Sequence, residues 1–467
     1  MKIAGGKFSI FNVQGLSGKD FQSILVLMSK RLVVIGGGAA GFFCAINAAS
    51  LNPELTVTIV ERSSKLLSKV RISGGGRCNV THSCYSISAI IKRYPRGGAF
   101  LKKAFQHFFT TDTIKWFEAR EVYLKIENDG RMFPVTDSSE AIINCLLTEA
   151  ASLNIKILLN KDADGVHYAR ANDYAKEMNL KFHQEQIDSA GNAKLIPAEA
   201  KAFQITFSHE KTLEADYVCV ACGGFPKIEH FDWIKKLGHS IVEPVPSLFT
   251  FKVPAHKINS LMGISVPDVI VRISETKYQQ RGALLITHWG FSGPVILKLS
   301  AFAAIDLASL NYNYKIMVNW LPLYNETTVR EHMYVLRTTL AQQKIINRNP
   351  FDLPQRLWEF LLMESDADLN TRWATLELKT QNLLAKNLCS HVFQVKGKTT
   401  FKEEFVTAGG VTLSEIDPNT MESKIMAGLF FAGEIMNVDG ITGGYNFQHA
   451  WTSGWIAGNT INKKSQS

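Results

Sequence analysis

The chain contains several short apolar runs that end at glycine or at a polar turn, which is the pattern of strands buried on both faces of a sheet. The first run spans 32–35, and the apolar stretch behind it predicts a helix from Ala39 to about Ser50. A second strand at 56–61 completes a βαβ unit of roughly thirty residues. Similar runs predict later strands of the same sheet at 155–159, 215–221 and 428–432.

The segments between these strands have different patterns. Residues 160–200 are polar and predict an exposed insertion. From about 238 to 314, proline and glycine interrupt short alternating runs such as 266–274, which predicts a small antiparallel β unit. Beyond 325 the apolar period becomes helical, and helices are predicted at 329–346, 353–362 and 373–388.

Together these patterns predict an α/β fold in which a Rossmann-like nucleotide-binding domain is interrupted by an inserted β domain and a helical segment. The predicted parts are an N-terminal extension (1–29), the first part of the nucleotide-binding domain (30–237), the β domain (238–324), the helical segment (325–398) and the C-terminal part of the nucleotide-binding domain (399–467). The first 27 residues precede the first strong strand, and we expect no role for them in the fold.

A glycine motif follows the first strand. Gly36, Gly38 and Gly41 fit G-x-G-x-x-G, with Ala39 and Ala40 between the last two. The first glycine permits a tight turn, the second lets backbone approach a pyrophosphate, and the third allows close packing of helix on strand. The helix N-terminus also offers free N–H groups to phosphates. This order of strand, glycines and helix indicates dinucleotide binding.

A carboxylate lies at the position where a dinucleotide site binds the ribose. Glu61 lies twenty residues beyond Gly41, at the end of the second strand, where it can accept hydrogen bonds from ribose hydroxyls. Its presence favours a dinucleotide site over a plain glycine-rich turn.

A second glycine turn near the C-terminus indicates which dinucleotide is bound. Gly433 and Glu434 end a strand, and Asp439 leads to Gly443-Gly444-Tyr445-Asn446 at the start of a helix. A helix N-terminus can stabilise the negative charge that a flavin gains at its N1–C2=O region on reduction. NAD alone has no need of such an element, so the sequence favours FAD.

Five further segments carry a resemblance to a known family: S-G-G-G-R-C-N-V-T (73–81), G-R-M-F-P (130–134), T-H-W-G-F-S-G-P (287–294), V-T-A-G-G-V (406–411) and T-M-E-S-K (420–424). Together they resemble the BaiN/RdsA-type NAD(P)/FAD-dependent oxidoreductases, which include aminoacetone oxidase-like members. The resemblance spans about residues 30 to 462. It implies a flavoprotein fold of the two-dinucleotide-binding-domain type, with non-covalent FAD and an inserted β and helical region.

The resemblance also implies which residues bind FAD. Gly36, Gly38, Gly41, Glu61 and Arg62 correspond to the adenosine and pyrophosphate end, with Arg62 close to the adenine. The rest of the cofactor is assigned to Lys69, Ser73, Gly74, Gly75, Gly76, Arg77, Cys78, Asn79, Ala221, Gly223, Gly224, Gly433, Glu434, Asp439, Gly443, Gly444, Tyr445 and Asn446. The chain departs from the family pattern at His82, Cys222 and Asn437, which replace a common asparagine, threonine and aspartate.

Few side chains qualify as catalytic groups. His288 lies in a turn rich in glycine, serine and proline, and a neutral imidazole beside a flavin can act as a general acid or base. A lone histidine is more often structural, so the sequence leaves both a catalytic and a structural role open for His288. Cys219 and Cys222 have the spacing of a redox pair, but residues three apart on a strand face opposite sides, which favours a structural role. The spacing of histidine, cysteine and carboxylate side chains predicts no metal site.

Composition narrows the class of protein. The chain is 46% hydrophobic and 20% charged with a formal net charge of +9, and no apolar run is long enough to span a bilayer. Its seven cysteines are odd in number and scattered, which is typical of a reducing compartment, so a cytoplasmic location is expected. The positive charges are spread along the chain, which favours a basic surface over a nucleic-acid-binding stripe.

These features predict hydride transfer between flavin N5 and a small or medium organic substrate. The resemblance implies either reduction of a carbon–carbon double bond conjugated to a carbonyl, with NAD(P)H as donor, or amine oxidation with oxygen as acceptor. The chain has no second G-x-G-x-x-G after a strand, so NAD(P)H would visit the flavin transiently. An FAD-containing protein that binds or modifies RNA, and a flavin-binding protein without turnover, are the alternatives. The substrate and the oligomeric state stay open.

Overall fold

The computed structural model describes residues 30–169, 202–208, 211–399 and 406–466. The predicted N-terminal extension and most of the predicted polar insertion at 160–200 lie outside these residues. In chain order the strands are β1 (Arg31–Ile35), β2 (Thr56–Val60), β3 (Thr81–His82), β4 (Leu124–Ile126), β5 (Arg131–Pro134), β6 (Lys156–Leu158), β7 (Ala163–Ala169), β8 (Ala202–Phe207), β9 (Leu213–Ala215), β10 (Tyr217–Val220), β11 (Ile241–Ser247), β12 (Thr250–Lys252), β13 (Ser265–Ile273), β14 (Gln279–Thr287), β15 (Gly290–Ser292), β16 (Asn313–Asn319), β17 (His391–Lys396), β18 (Lys398–Thr399), β19 (Val406–Val411) and β20 (Leu429–Phe431).

The α-helices in the same residues are α1 (Ala39–Leu51), α2 (Ser68–Gly76), α3 (Ile87–Ile90), α4 (Gly98–Ala104), α5 (Thr110–Glu118), α6 (Glu140–Ser152), α7 (Asp232–Lys236), α8 (Pro294–Phe302), α9 (Ala304–Ser309), α10 (Glu326–Thr339), α11 (Gln355–Met363), α12 (Leu378–Cys389) and α13 (Tyr445–Ser465). Short 3-10 turns lie at Ile91–Arg93, Ile228–Phe231, Lys257–Leu261, Trp373–Thr375, Leu413–Glu415 and Gly433–Ile435. Among the residues that the structure describes, no helix combines the length and the apolar character needed to cross a membrane.

The first domain is built on a parallel sheet with the strand order β20-β10-β1-β2-β6. Each of these strands coincides with one of the apolar runs, so the predicted α/β fold with a Rossmann-like sheet is confirmed. Val33, Val218 and Phe430 are buried, as strands covered on both faces require. The inserted region lies between β10 and β20 in the sequence, so the sheet is complete only when β20 pairs with β10.

Helices α1 and α13 cover this sheet with their backbones in contact. A Cβ on Gly454 would lie 2.5 Å from the carbonyl oxygen of Ala40, and one on Gly458 would lie 2.5 Å from that of Cys44. Equal spacing along both helices means that they run in the same direction. Their N-termini therefore open toward the same end of the sheet.

The inserted region forms a second core around a seven-stranded antiparallel sheet of order β17-β16-β13-β14-β15-β12-β18. Phe251, Trp320 and Phe393 are buried in this core together with residues of α10, α11 and α12. Residues 391–399 were predicted to end the helical segment and begin the C-terminal part. They instead form β17 and β18, because pairing with β16 and β12 returns the chain to the sheet.

The predicted helices of this region are present with shifted ends. Helix α10 begins earlier than predicted, because Asn325 caps it by accepting from the backbone N–H groups of Thr327 (2.9 Å) and Thr328 (3.0 Å). Helix α12 begins later, because Trp373–Thr375 forms a separate 3-10 turn.

The glycine contact between α1 and α13 can be tested by substitution. We expect Gly458→Ala to lower the free energy of unfolding by about 1–3 kcal/mol, because the added methyl meets backbone rather than a movable side chain. The variant should also retain flavin less well if the glycine turn at the start of α13 binds the cofactor, as the sequence predicts. Urea unfolding would measure the first effect.

Asn459→Ala is the matched control on the next residue of the helix, where the side-chain amide donates to the carbonyl oxygen of Trp455. An unfolding free energy of Gly458→Ala equal to that of the wild type would contradict the packing described here.

Candidate functional site

A cavity of about 760 Å³ lies at the carboxyl ends of the parallel strands. Ile35, Val60 and Ala221, at the ends of β1, β2 and β10, form part of its wall. The carboxyl edge of a doubly wound sheet is where such folds bind ligands, and the volume is that of a cofactor or ligand site. The strands, the helix N-termini and the inserted region all contribute to it.

The glycine motif forms the nucleotide end of this cavity. Gly36 has a φ of +118°, and a Cβ there would lie 2.4 Å from the carbonyl oxygen of Ala221, so the turn requires glycine. Gly38 precedes α1 in extended conformation, and a Cβ on it would meet no atom of the described residues within 4 Å beyond Gly38 and its two chain neighbours. The space beside Gly38 therefore belongs to the cavity, where a phosphate can approach the backbone.

Glu61 is held rigidly at this end. One carboxylate oxygen accepts a hydrogen bond from the backbone N–H of Gly37 at 2.9 Å, and the other accepts from the backbone N–H of Ser63 at 2.9 Å. These bonds fix the carboxylate beside the glycine turn before any ligand binds. A preset acceptor in this position suits a ribose hydroxyl.

The predicted glycine loop at 73–79 begins inside α2. Gly74 and Gly75 interrupt this helix with φ values of +59° and +71°, and both line the cavity. The ring of Phe133 supports Gly74 from behind, and the guanidinium of Arg77 lies 4.0 Å from the centre of that ring. Arg77 also pairs with Glu127 at 2.6 Å, and this hydrogen bond raises the pKa of Arg77. Arg77 thus buttresses the loop from outside the cavity.

A second loop faces this one across the cavity. Gly443 and Gly444 precede α13 with φ values of +132° and +87°. The Asn446 amide closes the loop by accepting from the N–H of Gly440 (2.8 Å) and donating to its carbonyl oxygen (2.9 Å). With its amide oriented to satisfy both partners, Asn79 accepts from the N–H of Gly444 at 2.9 Å. The two loops are therefore joined directly.

His449, on the first turns of α13, lines the cavity and is buried. Its Nε2 lies 3.1 Å from the carbonyl oxygen of Gly433, while Nδ1 has no hydrogen-bond partner in the described structure. Burial lowers the pKa of His449 to about 4. The imidazole is therefore neutral, and its Nδ1 is buried within the wall of the cavity.

The charged residues that line the cavity all come from one of the two domains. The charged residues all belong to the first domain: Glu61, Arg62, Lys65, Lys69, Lys161, Asp162 and Glu434. Lys69 and Glu434 form an ion pair at 2.5 Å. The residues from the inserted region and its junctions are uncharged: Leu248, Thr250, Ser292, Leu297, Thr399 and Val406. We call these six residues the insertion end.

The cavity brings together most of the predicted cofactor residues: Gly36, Gly38, Ala39, Ala40, Glu61, Arg62, Lys69, Ser73, Gly74, Gly75, Asn79, Ala221, Gly223, Gly433, Glu434, Gly443, Gly444 and Asn446. Others lie behind its wall: Gly41, Gly76, Arg77, Cys78, Gly224, Asp439 and Tyr445. Gly41 packs α1 onto the glycine turn, and Tyr445 stacks on His82 with ring centres 4.9 Å apart.

Asp439 and Cys78 have structural surroundings. Asp439 is fully buried and forms an ion pair with Arg96, and burial raises the pKa of its carboxyl despite this partner. The Cys78 thiol is also buried, which raises its pKa to about 12. Cys219 has Cys44 as its hydrogen-bond neighbour, whereas Cys222 lines the cavity, so the two members of the predicted spacing do not face each other.

His288 does not reach the cavity. Its imidazole is exposed and packs against Trp289, with ring centres 4.4 Å apart. The tight turn between β14 and β15 directs it away, while Ser292 of the same segment lines the cavity. In the described residues, no group of histidine, cysteine and carboxylate side chains could hold a metal ion.

The insertion end was missed by sequence reasoning. Its residues come from separate segments, which meet only because β12 pairs with both β15 and β18. Two signals were available, since Ser292 belongs to the T-H-W-G-F-S-G-P segment and Val406 to the V-T-A-G-G-V segment, both of which carry the family resemblance.

The depressed pKa of His449 predicts acid sensitivity. The unfolded chain takes up a proton near pH 6.5 and the folded chain only near pH 4, so this contribution to stability is complete above pH 6.5 and is lost as the pH falls toward 4. His449→Gln keeps a donor for the carbonyl oxygen of Gly433 but cannot titrate. Between pH 7 and pH 5, we expect the free energy of unfolding of the wild type to fall by about 2 kcal/mol more than that of His449→Gln.

Urea unfolding of the apoprotein at both pH values provides the measurement. The exposed His288→Gln is the control and should follow the wild type. An equal loss in His449→Gln and the wild type would show that His449 does not titrate as described.

Comparison with known proteins places the chain in a family. Residues 30–193 match the family model of the HI0933-like protein Rossmann domain. Residues 245–406 match the model of the HI0933-like protein barrel and H2TH domain.

Curated relatives align with almost the whole chain. A 3-dehydro-bile acid delta(4,6)-reductase of Clostridium scindens is 25% identical, with 92% of this chain and 98% of the relative covered. A ribosomal RNA dihydrouridine synthase of Escherichia coli is 28% identical, with 91% and 96% covered. Among solved structures, a 3-ketosteroid delta1-dehydrogenase of Sterolibacterium denitrificans superposes with a TM-score of 0.46 at 11% identity, covering 93% of this chain and 100% of that chain.

One family model matches the first domain, and the other matches the inserted region. They agree with the Rossmann-like sheet, the glycine turn and the inserted antiparallel sheet described above. The chain belongs to the HI0933-like family, the BaiN/RdsA-type flavoprotein oxidoreductases.

Proposed function

We propose that this chain binds FAD non-covalently and reduces a carbon–carbon double bond conjugated to a carbonyl group, with NAD(P)H as the electron donor. The observation that carries the proposal is the division of the cavity into a charged part in the first domain and the uncharged insertion end. Charged groups suit a dinucleotide, whereas an uncharged wall suits a neutral organic ring. When bound, FAD would supply hydride transfer from NAD(P)H to the conjugated carbon of the substrate, and a proton from solvent would complete the saturated product.

The residues present fit FAD along the whole cavity. Glu61 offers an acceptor to the ribose, and the open space at Gly38 lets the pyrophosphate approach the N-terminus of α1. The loops at 73–75 and 442–444 expose bare backbone to the isoalloxazine, and α13 directs its positive end toward the same region.

The insertion end supplies what the substrate needs. Leu248, Leu297 and Val406 exclude water from the reacting carbon, which a hydride transfer requires. The hydroxyls of Ser292 and Thr399 have no hydrogen-bond partner in the described structure and can donate to a substrate carbonyl. A hydrogen bond to that oxygen stabilises the negative charge that develops there when hydride adds to the conjugated carbon.

The names of two relatives support this reaction class. One is a reductase that acts on the delta(4,6) bonds of a 3-dehydro-bile acid, and the other forms dihydrouridine. Uridine carries a ring double bond conjugated to a carbonyl, as does an enone, so one chemistry serves both substrates.

The reaction is tested by product analysis. Under nitrogen, with NADPH or NADH and 2-cyclohexen-1-one, we expect formation of cyclohexanone in proportion to the nucleotide consumed. Oxygen uptake and hydrogen peroxide with aminoacetone, and no cyclohexanone, would instead identify an amine oxidase. Neither product from a protein that holds FAD would count against both small-molecule reactions and would leave the ribosomal RNA substrate considered below or the non-catalytic alternative.

A second candidate is reduction of uridine within ribosomal RNA. It is favoured by the charge of the inserted region, where residues 245–399 contain 17 lysines and arginines against 11 aspartates and glutamates. Expression in an Escherichia coli strain without its own ribosomal RNA dihydrouridine synthase would test it. Restoration of a 2 Da mass increase on ribosomal RNA fragments would support this substrate. If the mass increase is not restored, small enones are the favoured substrates.

Cofactor binding is tested most cleanly at Gly38. We expect Gly38→Ala to weaken FAD binding at least about tenfold, because the new methyl occupies the space where the pyrophosphate meets backbone. The melting temperature of the apoprotein should not fall, since beyond its chain neighbours that methyl meets no atom of the described residues within 4 Å. FAD titration measures the affinity, and thermal unfolding measures the melting temperature. An FAD affinity equal to that of the wild type would show that the pyrophosphate does not bind at Gly38.

A further inference from the structure

Leu248 has a backbone conformation that is unusual for its residue type. Its φ is +57°, in the left-handed region that side chains with a Cβ avoid, and its side chain lines the insertion end of the cavity. It stands between β11 and β12, where the chain passes from the first domain into the inserted sheet. A strained residue at such a point is retained when the surrounding structure fixes it, and strain of this kind clusters at functional sites.

The residue before Leu248 is tied to the first domain. The Ser247 hydroxyl is buried and donates to Asp439 Oδ2 at 2.9 Å. Asp439 is paired with Arg96, whose guanidinium also donates to the carbonyl oxygen of Ala301 at 2.8 Å. Asp439 lies in the loop that leads to Gly443 and Gly444, so the position of Ser247 follows that of the loop assigned to the flavin.

The residue after Leu248 is tied to the inserted domain. The N–H of Phe249 donates to the Ser300 hydroxyl at 3.0 Å, and that hydroxyl donates to the carbonyl oxygen of Leu297 at 3.0 Å. Leu297 itself lines the insertion end. The two neighbours of Leu248 are thus held from opposite sides, and its side chain has a fixed place in the cavity.

We infer that Leu248 is a specificity-determining residue, which limits the size of the uncharged ring that can lie at the insertion end. The effect on the reaction rests on the proposed function. The effect on ligand binding does not, since ring size limits binding whether or not the ring is reduced. The recognised part of the substrate is an uncharged carbonyl-bearing ring, because the lining here consists of Leu248, Leu297, Val406 and three hydroxyl side chains. Shortening Leu248 should therefore admit larger rings and hold small rings less well.

The test uses the FAD-loaded protein and two saturated ketones that cannot be reduced at a double bond, cyclohexanone and 5α-androstan-3-one. Their dissociation constants are read from the change in the flavin absorption spectrum. For Leu248→Ala we expect the affinity ratio of the large ketone to the small one to rise at least about tenfold, as expected for methylene-sized changes in an apolar pocket. The ratio of kcat/KM for 4-androstene-3,17-dione and 2-cyclohexen-1-one should change in the same direction.

A second variant separates specificity from folding. Leu248→Gly removes the side chain and also the left-handed strain, so we expect a melting temperature above that of Leu248→Ala together with the same shift in ligand preference. Leu310→Ala, an exposed leucine of the inserted domain outside the cavity, should leave the ratio unchanged.

An unchanged ketone ratio in both Leu248 variants would overturn the inference, as would the absence of any spectral change with either ketone in the wild type and both variants. A shifted binding ratio without reduction of either enone would uphold the role of Leu248 and overturn the proposed reaction.

Discussion

The backbone contact between α1 and α13 is the constraint on which the site depends. Glycines at 454 and 458 let the two helices touch, run in the same direction and present both N-termini at the carboxyl edge of the sheet. One N-terminus follows the G-x-G-x-x-G turn and the other follows Gly443-Gly444. A ligand with phosphates at one end and a ring that gains negative charge at the other meets a positive helix end at each place.

The inserted domain completes this site through a few buried polar contacts. Arg96, Asp439 and Ser247 connect the loop before α13 with the strand that enters the insertion, and Ser300 continues the connection to α8. Breaking a buried ion pair of this kind leaves an uncompensated charge, which is costly. The insertion end is therefore placed relative to the glycine loop before α13 by hydrogen bonds and an ion pair as well as by apolar packing.

The sequence was sufficient for the parallel sheet, because each strand is an apolar run that ends at a turn, and for both glycine turns, because only glycine fits such conformations. It was insufficient where position depends on long-range pairing. The strands β17 and β18, and the convergence of Thr250, Ser292 and Thr399, follow from sheet register between distant segments. His288 failed to reach the cavity for a local reason, since a tight turn points it outward, and Asp439 proved to be a buried partner of Arg96.

We propose that one cavity holds FAD where a nicotinamide donor and an enone can each reach it. This proposal can be tested by an anaerobic absorbance titration, in which NADPH or NADH is added to the FAD-loaded protein and 2-cyclohexen-1-one is added afterwards. We expect the visible flavin band to bleach with the nucleotide and to return with the enone. A band that persists under both nucleotides, or one that bleaches and does not return with any enone, would contradict it.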